Sequence, residues 1–218
     1  AIRQAGYELG REKALFIHLT LVPYIRASKE IKTKPTQHSV KELRSIGIQP
    51  DMLVCRSESN VPIAERKKIA LFCNVDNKNV FQAPDVSTIY EIPKVLHKQN
   101  IDSQILEHFK IDAKTEPDLQ KWNDILDKIN KRQGKVKIAI VGKYTGLTES
   151  YKSLVEALDH AAMNLGTAID IIWVDARTLN TDNINDNLTN AQGILVPCGF
   201  GNDGIEVKIA ALAYSREN

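Results

Sequence analysis

Two lysines one residue apart, Lys32 and Lys34, stand beside Pro35, Thr36 and Gln37 in the run Lys32-Thr33-Lys34-Pro35-Thr36-Gln37-His38-Ser39. Paired ammonium groups neutralise phosphate oxygens, and Thr36 and Gln37 add neutral donors. Pro35 stiffens the backbone between them. Ser39 and Glu42 have the spacing of a capping box, which predicts a helix that starts at Ser39 and stops near Gly47. Residues 32–38 then form a loop ahead of a helix N-terminus, where free N–H groups and the helix dipole favour anions. The chemistry indicated is polyphosphate binding. On spacing alone the same residues also fit a solvated basic turn.

Other groups offer less. His18 could be a ligand, but a lone histidine in a strand is more often packed and hydrogen-bonded. Gly142-Lys143 suggests a phosphate loop, yet the full Gly-x-x-x-x-Gly-Lys-Ser/Thr pattern is missing. Cys55, Cys73 and Cys198 are few and widely spaced. That usage fits a reducing compartment, predicts a cytoplasmic protein and provides no metal-ligand spacing. The formal net charge of +2 over 218 residues argues against a nucleic-acid or membrane-surface partner. There is no run of about 18 apolar residues to form a transmembrane helix, and no signal peptide is visible.

The elements that must position these groups alternate. Residues 1–12 read as a helix with Ile2, Ala5 and Leu9 on one face. Residues 14–22 read as a strand, with Phe16, His18 and Thr20 alternating, and Pro23 ends it. Strands at 52–56 and 80–82 flank a helix from Pro62 to Phe72, with a turn at 76–78, and Pro93 opens a further helix with Val95 and Leu96 facing inward. This alternation predicts an α/β fold with a largely parallel sheet. Ligands then bind at the carboxyl ends of strands, so the lysine loop, the Arg56 loop and the Pro84 loop share one rim. The apolar pattern breaks at 111–117. Trp122, Ile125, Leu126 and Ile129 mark an amphipathic helix, and Lys131-Arg132-Gln133-Gly134-Lys135 reads as a connection. Strands at 136–141, 168–174 and 193–196, with a helix from Tyr151 to about Asn164, open a second, doubly wound region. Residues 206–218 read as a helix. A chain that opens and closes inside helical patterns is expected to be a fragment.

The run from Lys32 to Leu43 with Ser45-Ile46-Gly47-Ile48-Gln49-Pro50-Asp51 resembles the synthetase domain of the CTP synthase family. So do Ala1-Ile2-Arg3-Gln4, His18-Leu19-Thr20-Leu21-Val22-Pro23-Tyr24 and residues 65–73. Val141-Gly142-Lys143-Tyr144, Tyr151-Lys152-Ser153 and Ile194-Leu195-Val196-Pro197-Cys198-Gly199-Phe200-Gly201 resemble the opening of its class I glutaminase domain. The resemblance implies part of a P-loop-like parallel-sheet synthetase domain at 1–111, an interdomain linker with a short helix at 112–135, and part of a doubly wound glutaminase domain at 136–218. It implies ATP-dependent amination of UTP to CTP, with nitrogen from glutamine, Mg²⁺ as cofactor, GTP as a possible effector, and a homotetramer in the intact enzyme. Lys32, Thr33, Lys34, Pro35, Thr36, Gln37 and Lys68 match the UTP and CTP triphosphate site. Arg56, Pro84, Asp85 and Val86 match the ATP side, Gly199 the glutamine pocket, and Arg3 a helix near the tetramer interface.

The family's glycine-rich phosphate loop and Mg²⁺ ligands match nothing in this stretch and are expected upstream. Its cysteine nucleophile and the partners of that cysteine are expected downstream. Cys198 therefore only resembles a nucleophile after a strand. It stands where the family usually has glycine, Asp203 where arginine or a similar residue is usual, and Val207 where glycine is usual. A Cβ at 198 could block a backbone conformation that glycine allows. The alternative to a synthase fragment is an inactive remnant or split subunit that only binds nucleotide or associates with other subunits.

Overall fold

The computed structural model describes residues 1–112, 114–180, 182–199 and 204–217. They form two compact units, 1–123 and 124–218, each built on a three-stranded parallel sheet. Among the described residues, no helix is long and apolar enough to cross a membrane.

The first unit runs α1 (Ile2–Leu9), β1 (Ile17–Leu21), β2 (Tyr24–Ile25), β3 (Glu30–Ile31), α2 (Lys34–Ser45), β4 (Met52–Ser57), α3 (Ile63–Cys73), β5 (Val80–Pro84), α4 (Ile92–His97) and α5 (Ile101–His108). Its sheet has the order β1-β4-β5, with Leu21 beside Arg56 and Arg56 beside Ala83. A short antiparallel hairpin, β2–β3, turns through Lys29 at φ 53°. Val22, Val40, Leu53, Cys55, Ile69 and Cys73 fill the core between the sheet and its helices. Burying such side chains contributes about 1.5–3 kcal/mol each.

β1 departs from simple apolar-in alternation. Its inward face is polar, with Thr20 buried and His18 half-buried, while Ile17, Leu19 and Leu21 are exposed. The polar side is tolerated because α2 supplies a partner to each residue. His18 Nε2 and Ser39 Oγ share a hydrogen bond at 2.8 Å, and Thr20 donates to Thr36 Oγ1 at 3.2 Å.

The capping-box expectation is overturned. α2 begins at Lys34 with Thr33 as N-cap and Pro35 in its first turn, so residues 34–38 are helical. Proline at N1 or N2 loses no intrahelical bond and brings the required φ, which moves the start upstream of Ser39. Ser39 spends its hydroxyl on His18. The predicted stop stands: Gly47 has φ 86°, its N–H donates to Arg44 O, and Ile48 N–H donates to Leu43 O.

α6 (Gln120–Asn130) spans the division between the units. The second unit continues with β6 (Lys135–Gly142), α7 (Lys152–Leu165), β7 (Ala168–Asp175), α8 (Ile184–Leu188), β8 (Gly193–Leu195) and α9 (Ile205–Glu217). The sheet order β7-β6-β8 puts β6 at its centre, which is why Ala139 to Gly142 is wholly buried. Arg132 grips Asp159 of α7 through two bonds, at 2.8 and 2.9 Å. Gln133 N–H donates to Gly166 O at 2.7 Å.

Candidate functional site

Lys32, Lys34 and Lys68 converge. Lys32, which follows β3, and Lys34, which opens α2, line one open pocket of about 710 Å³ with Thr33 and with Lys68 of α3. Lys29, Glu30 and Glu65 line it too. The pocket forms because Lys32 N–H donates to Pro23 O at 2.9 Å, which carries the chain back over the end of β1. Pro35 is exposed on the first turn of α2. Gln37 Nε2 donates to Thr33 Oγ1 at 3.2 Å and braces that turn.

Thr36 is placed differently from its neighbours. Its side chain is fully buried, and its hydroxyl donates to Leu21 O at 3.0 Å while accepting from Thr20. The group anchors α2 to β1.

Arg56, Pro84 and Asp85 meet at the carboxyl ends of β4 and β5. Asp85 N–H donates to Ser57 O at 2.8 Å, and Arg56 Nη2 lies 3.6 Å from Asp85 Oδ1. Both side chains are exposed, and Val86 follows half-buried. Val22 N–H donates to Arg56 O at 2.8 Å, so the end of β1 that leads to the lysine segment is tied to the Arg56 loop. None of Arg56, Pro84, Asp85 or Val86 is among the lining residues of the lysine pocket. The two groups occupy one end of the sheet as neighbouring features.

In the second unit, Gly142 closes β6 where Tyr151 crosses it. A Cβ at Gly142 would lie 2.5 Å from the Tyr151 hydroxyl. Lys143 is buried immediately after it. Pro197, Cys198 and Gly199 follow β8. Lys208 of α9 donates from Nζ to Pro197 O at 3.2 Å, and a Cβ at Gly199 would sit 3.1 Å from that Nζ and 3.9 Å from Lys143 Cδ. Two lysines from separate elements therefore frame the Gly199 segment. A trans peptide points its N–H opposite its carbonyl, so the Cys198 N–H faces away from Lys208.

Cys198 is exposed, and its φ is not in the left-handed region. The backbone conformation here is one that a residue with a Cβ adopts. Phe200, Gly201 and Asp203 lie outside the described residues. Cys55 and Cys73 are core thiols: burial pushes Cys55 up to about 12, with the nearby Cys73 adding to the effect, and pushes Cys73 up to about 11. His18 is held below its ordinary value by burial, in keeping with a packed, hydrogen-bonded histidine.

The family described as CTP synthase N-terminus matches residues 1–111, half of the chain. The chain belongs to the CTP synthase family. The family described as glutamine amidotransferase class-I matches residues 147–218. CTP synthases from Pelagibacter ubique and Rhodospirillum centenum are each 50% identical to the chain, and that from Azospirillum brasilense is 49% identical, with the full chain aligned in each case. The chain spans about 40% of the length of these curated relatives. Its mixed α/β architecture is that of a partial synthetase domain followed by the start of a glutaminase domain.

Sequence reasoning missed Glu30, Glu65 and Lys208. The three-residue spacing of Glu65 and Lys68 on one helix face was a legible signal. Lys208 carried none, because it reaches Pro197 across 11 residues through the packing of α9.

Proposed function

We propose that this chain supplies nucleotide-holding and glutamine-holding parts of a CTP synthase, which aminates UTP to CTP using ATP and glutamine. The convergence of Lys32, Thr33, Lys34 and Lys68 on one pocket carries this reading. A triphosphate needs several cations from separate elements, and phosphoryl transfer asks for positioning and charge neutralisation more than for covalent help from the protein. Lys32, Lys34 and Lys68 neutralise the UTP triphosphate. Thr33 and Gln37 shape the turn that presents it with Pro35, and Thr36 anchors that turn. CTP shares the triphosphate and so competes for the same lysines. Arg56 meets the phosphates of ATP, while the backbone of Pro84, Asp85 and Val86 reads the adenine edge. Gly199 allows close approach of glutamine. GTP as an effector, and a homotetramer with α1 and Arg3 near its interface, belong to the same proposal.

Among the described residues, no three His, Cys, Asp or Glu side chains converge on a metal position. The Mg²⁺ ligands are proposed to lie on other segments of the enzyme.

Two assays test the reading. UTP affinity of the 218-residue chain, measured by NMR titration, should fall at least about tenfold in Lys32→Ala/Lys34→Ala, the loss of roughly 1.4 kcal/mol expected for charge-assisted contacts. An unchanged affinity would refute the lysine-site assignment. The purified chain should form no CTP from UTP, ATP, Mg²⁺ and glutamine or ammonia, and turnover would refute the view that its own residues only bind and position.

A further inference from the structure

The lysine pocket carries anions of its own. Glu30 of β3 and Glu65 of α3 line it together with the lysines. The Glu30 carboxylate accepts from Lys32 Nζ, and Glu65 Oε2 lies 3.8 Å from Lys68 Nζ. Glu30 contributes to the β2–β3 ladder only through its backbone, opposite Ile25, so its side chain is free to serve the pocket. The hydrogen bond and charge of Lys32 hold the Glu30 carboxyl below its ordinary value, so it is ionised at neutral pH. All four paired side chains are open to solvent, between 32% and 57% exposed. Ion pairs of that kind are weak and open readily.

We propose that Glu30 and Glu65 are displaceable counter-ions of the lysine pocket, each holding an ammonium group that a polyphosphate takes over on binding. The proposal rests on reading the pocket as a triphosphate site. Each carboxylate neutralises the ammonium group beside it without a ligand, and the two weaken anion binding because each must be displaced first. A chain of phosphates can replace both at once. A single chloride or carboxylate from solution replaces at most one, so the pair favours polyanions over common small ions.

The test uses inorganic tripolyphosphate and the full 218-residue chain, titrated calorimetrically at low ionic strength. Glu30→Gln and Glu65→Gln should each tighten binding by about two- to fivefold, the scale of exposed ion pairs, and the double variant by about the product. Glu12→Gln removes an exposed carboxylate paired with Lys110, outside the pocket, and should change affinity less than about twofold. The gains should fade as salt rises toward about 1 M, where the Debye length is about 3 Å. A double variant that binds no tighter than the parent would overturn the proposal. So would an equal gain from Glu12→Gln, which would mean that net charge alone is acting. If Lys32→Met/Lys34→Met abolishes binding while the glutamate variants leave it unchanged, the counter-ion role falls and the lysine site stands. If no variant and no parent binds tripolyphosphate, both fall.

Discussion

The hydroxyl of Thr36 should be a structural anchor whose removal is measurable without any ligand. Thr36→Val keeps the β-branched shape and deletes the hydroxyl. Leu21 O then loses a donor at 3.0 Å, and the Thr20 hydroxyl loses its acceptor at 3.2 Å. Thr36 is fully buried and Thr20 is 6% exposed, so water replaces neither bond well. A net hydrogen bond is worth about 1 kcal/mol, and an orphaned buried group costs about 1–3 kcal/mol. The single variant should therefore lose about 2 kcal/mol. Thr20→Val should lose only about 1 kcal/mol, because Thr36 still donates to Leu21 O. Thr20→Val/Thr36→Val should cost less than the sum by about 0.5–1 kcal/mol, since the two hydroxyls act as one unit. In a Trp173→Phe background the remaining tryptophan, Trp122, packs near Tyr90 within the first unit and reports its unfolding. With a urea slope of roughly 1–3 kcal/mol/M, Thr36→Val should move the midpoint down by about 1 M. Thr36→Ser should recover most of that shift. A midpoint within about 0.2 M of the parent on the same scale, or strict additivity of the two valines, would refute the anchor. Loosening this turn should also weaken tripolyphosphate binding, because Lys34 sits on the same turn.

The depressed pKa of His18 predicts a pH effect of defined sign. The unfolded chain binds a proton below pH 6.5 and the folded chain resists it, so stability present above 6.5 is lost as pH falls through the lower folded value. Urea midpoints at pH 7.5 and 5.5 should diverge less in His18→Gln than in the parent; an equal divergence assigns the effect elsewhere. Gly142→Ala should cost more than about 2 kcal/mol, because its Cβ meets the Tyr151 ring carbon at 2.9 Å as well as the hydroxyl; pairing it with Tyr151→Ala should reduce the added penalty. A neutral thiol reagent at pH 8 should label Cys198 in the native chain and spare Cys55 and Cys73, whose burial suppresses the thiolate; fast labelling of all three would contradict the packing. Asp159→Asn leaves the half-buried Arg132 guanidinium short of its charge partner and should cost about 1–3 kcal/mol by thermal melting.

The family and the order of elements were legible in the residues themselves. Alternating strands and helices, the continuous apolar run of β6, and the stop at Gly47 each follow from local chemistry, namely side-chain period, burial on both faces, and a backbone that needs φ above zero. The start of α2 was not, because Ser39 satisfies the capping-box pattern on paper while the helix begins five residues earlier, at Lys34, with Pro35 in its first turn, and His18 takes the Ser39 hydroxyl. Nor was the role of Thr36. Its type reads as a donor for phosphate, and only the approach of β1 turns its hydroxyl inward. The short elements β2, β3 and α8 carry too few residues for a periodic signal. What tertiary structure alone decided is which charges meet. Lys32 and Lys68 are 36 residues apart in the chain and share a pocket because α2 and α3 pack on one sheet, and Glu30 and Glu65 enter with them. Spacing along a chain specifies neighbours within one element. Proximity between elements is set by the burial of their apolar faces, and that burial brings the two lysine–carboxylate pairs into one pocket.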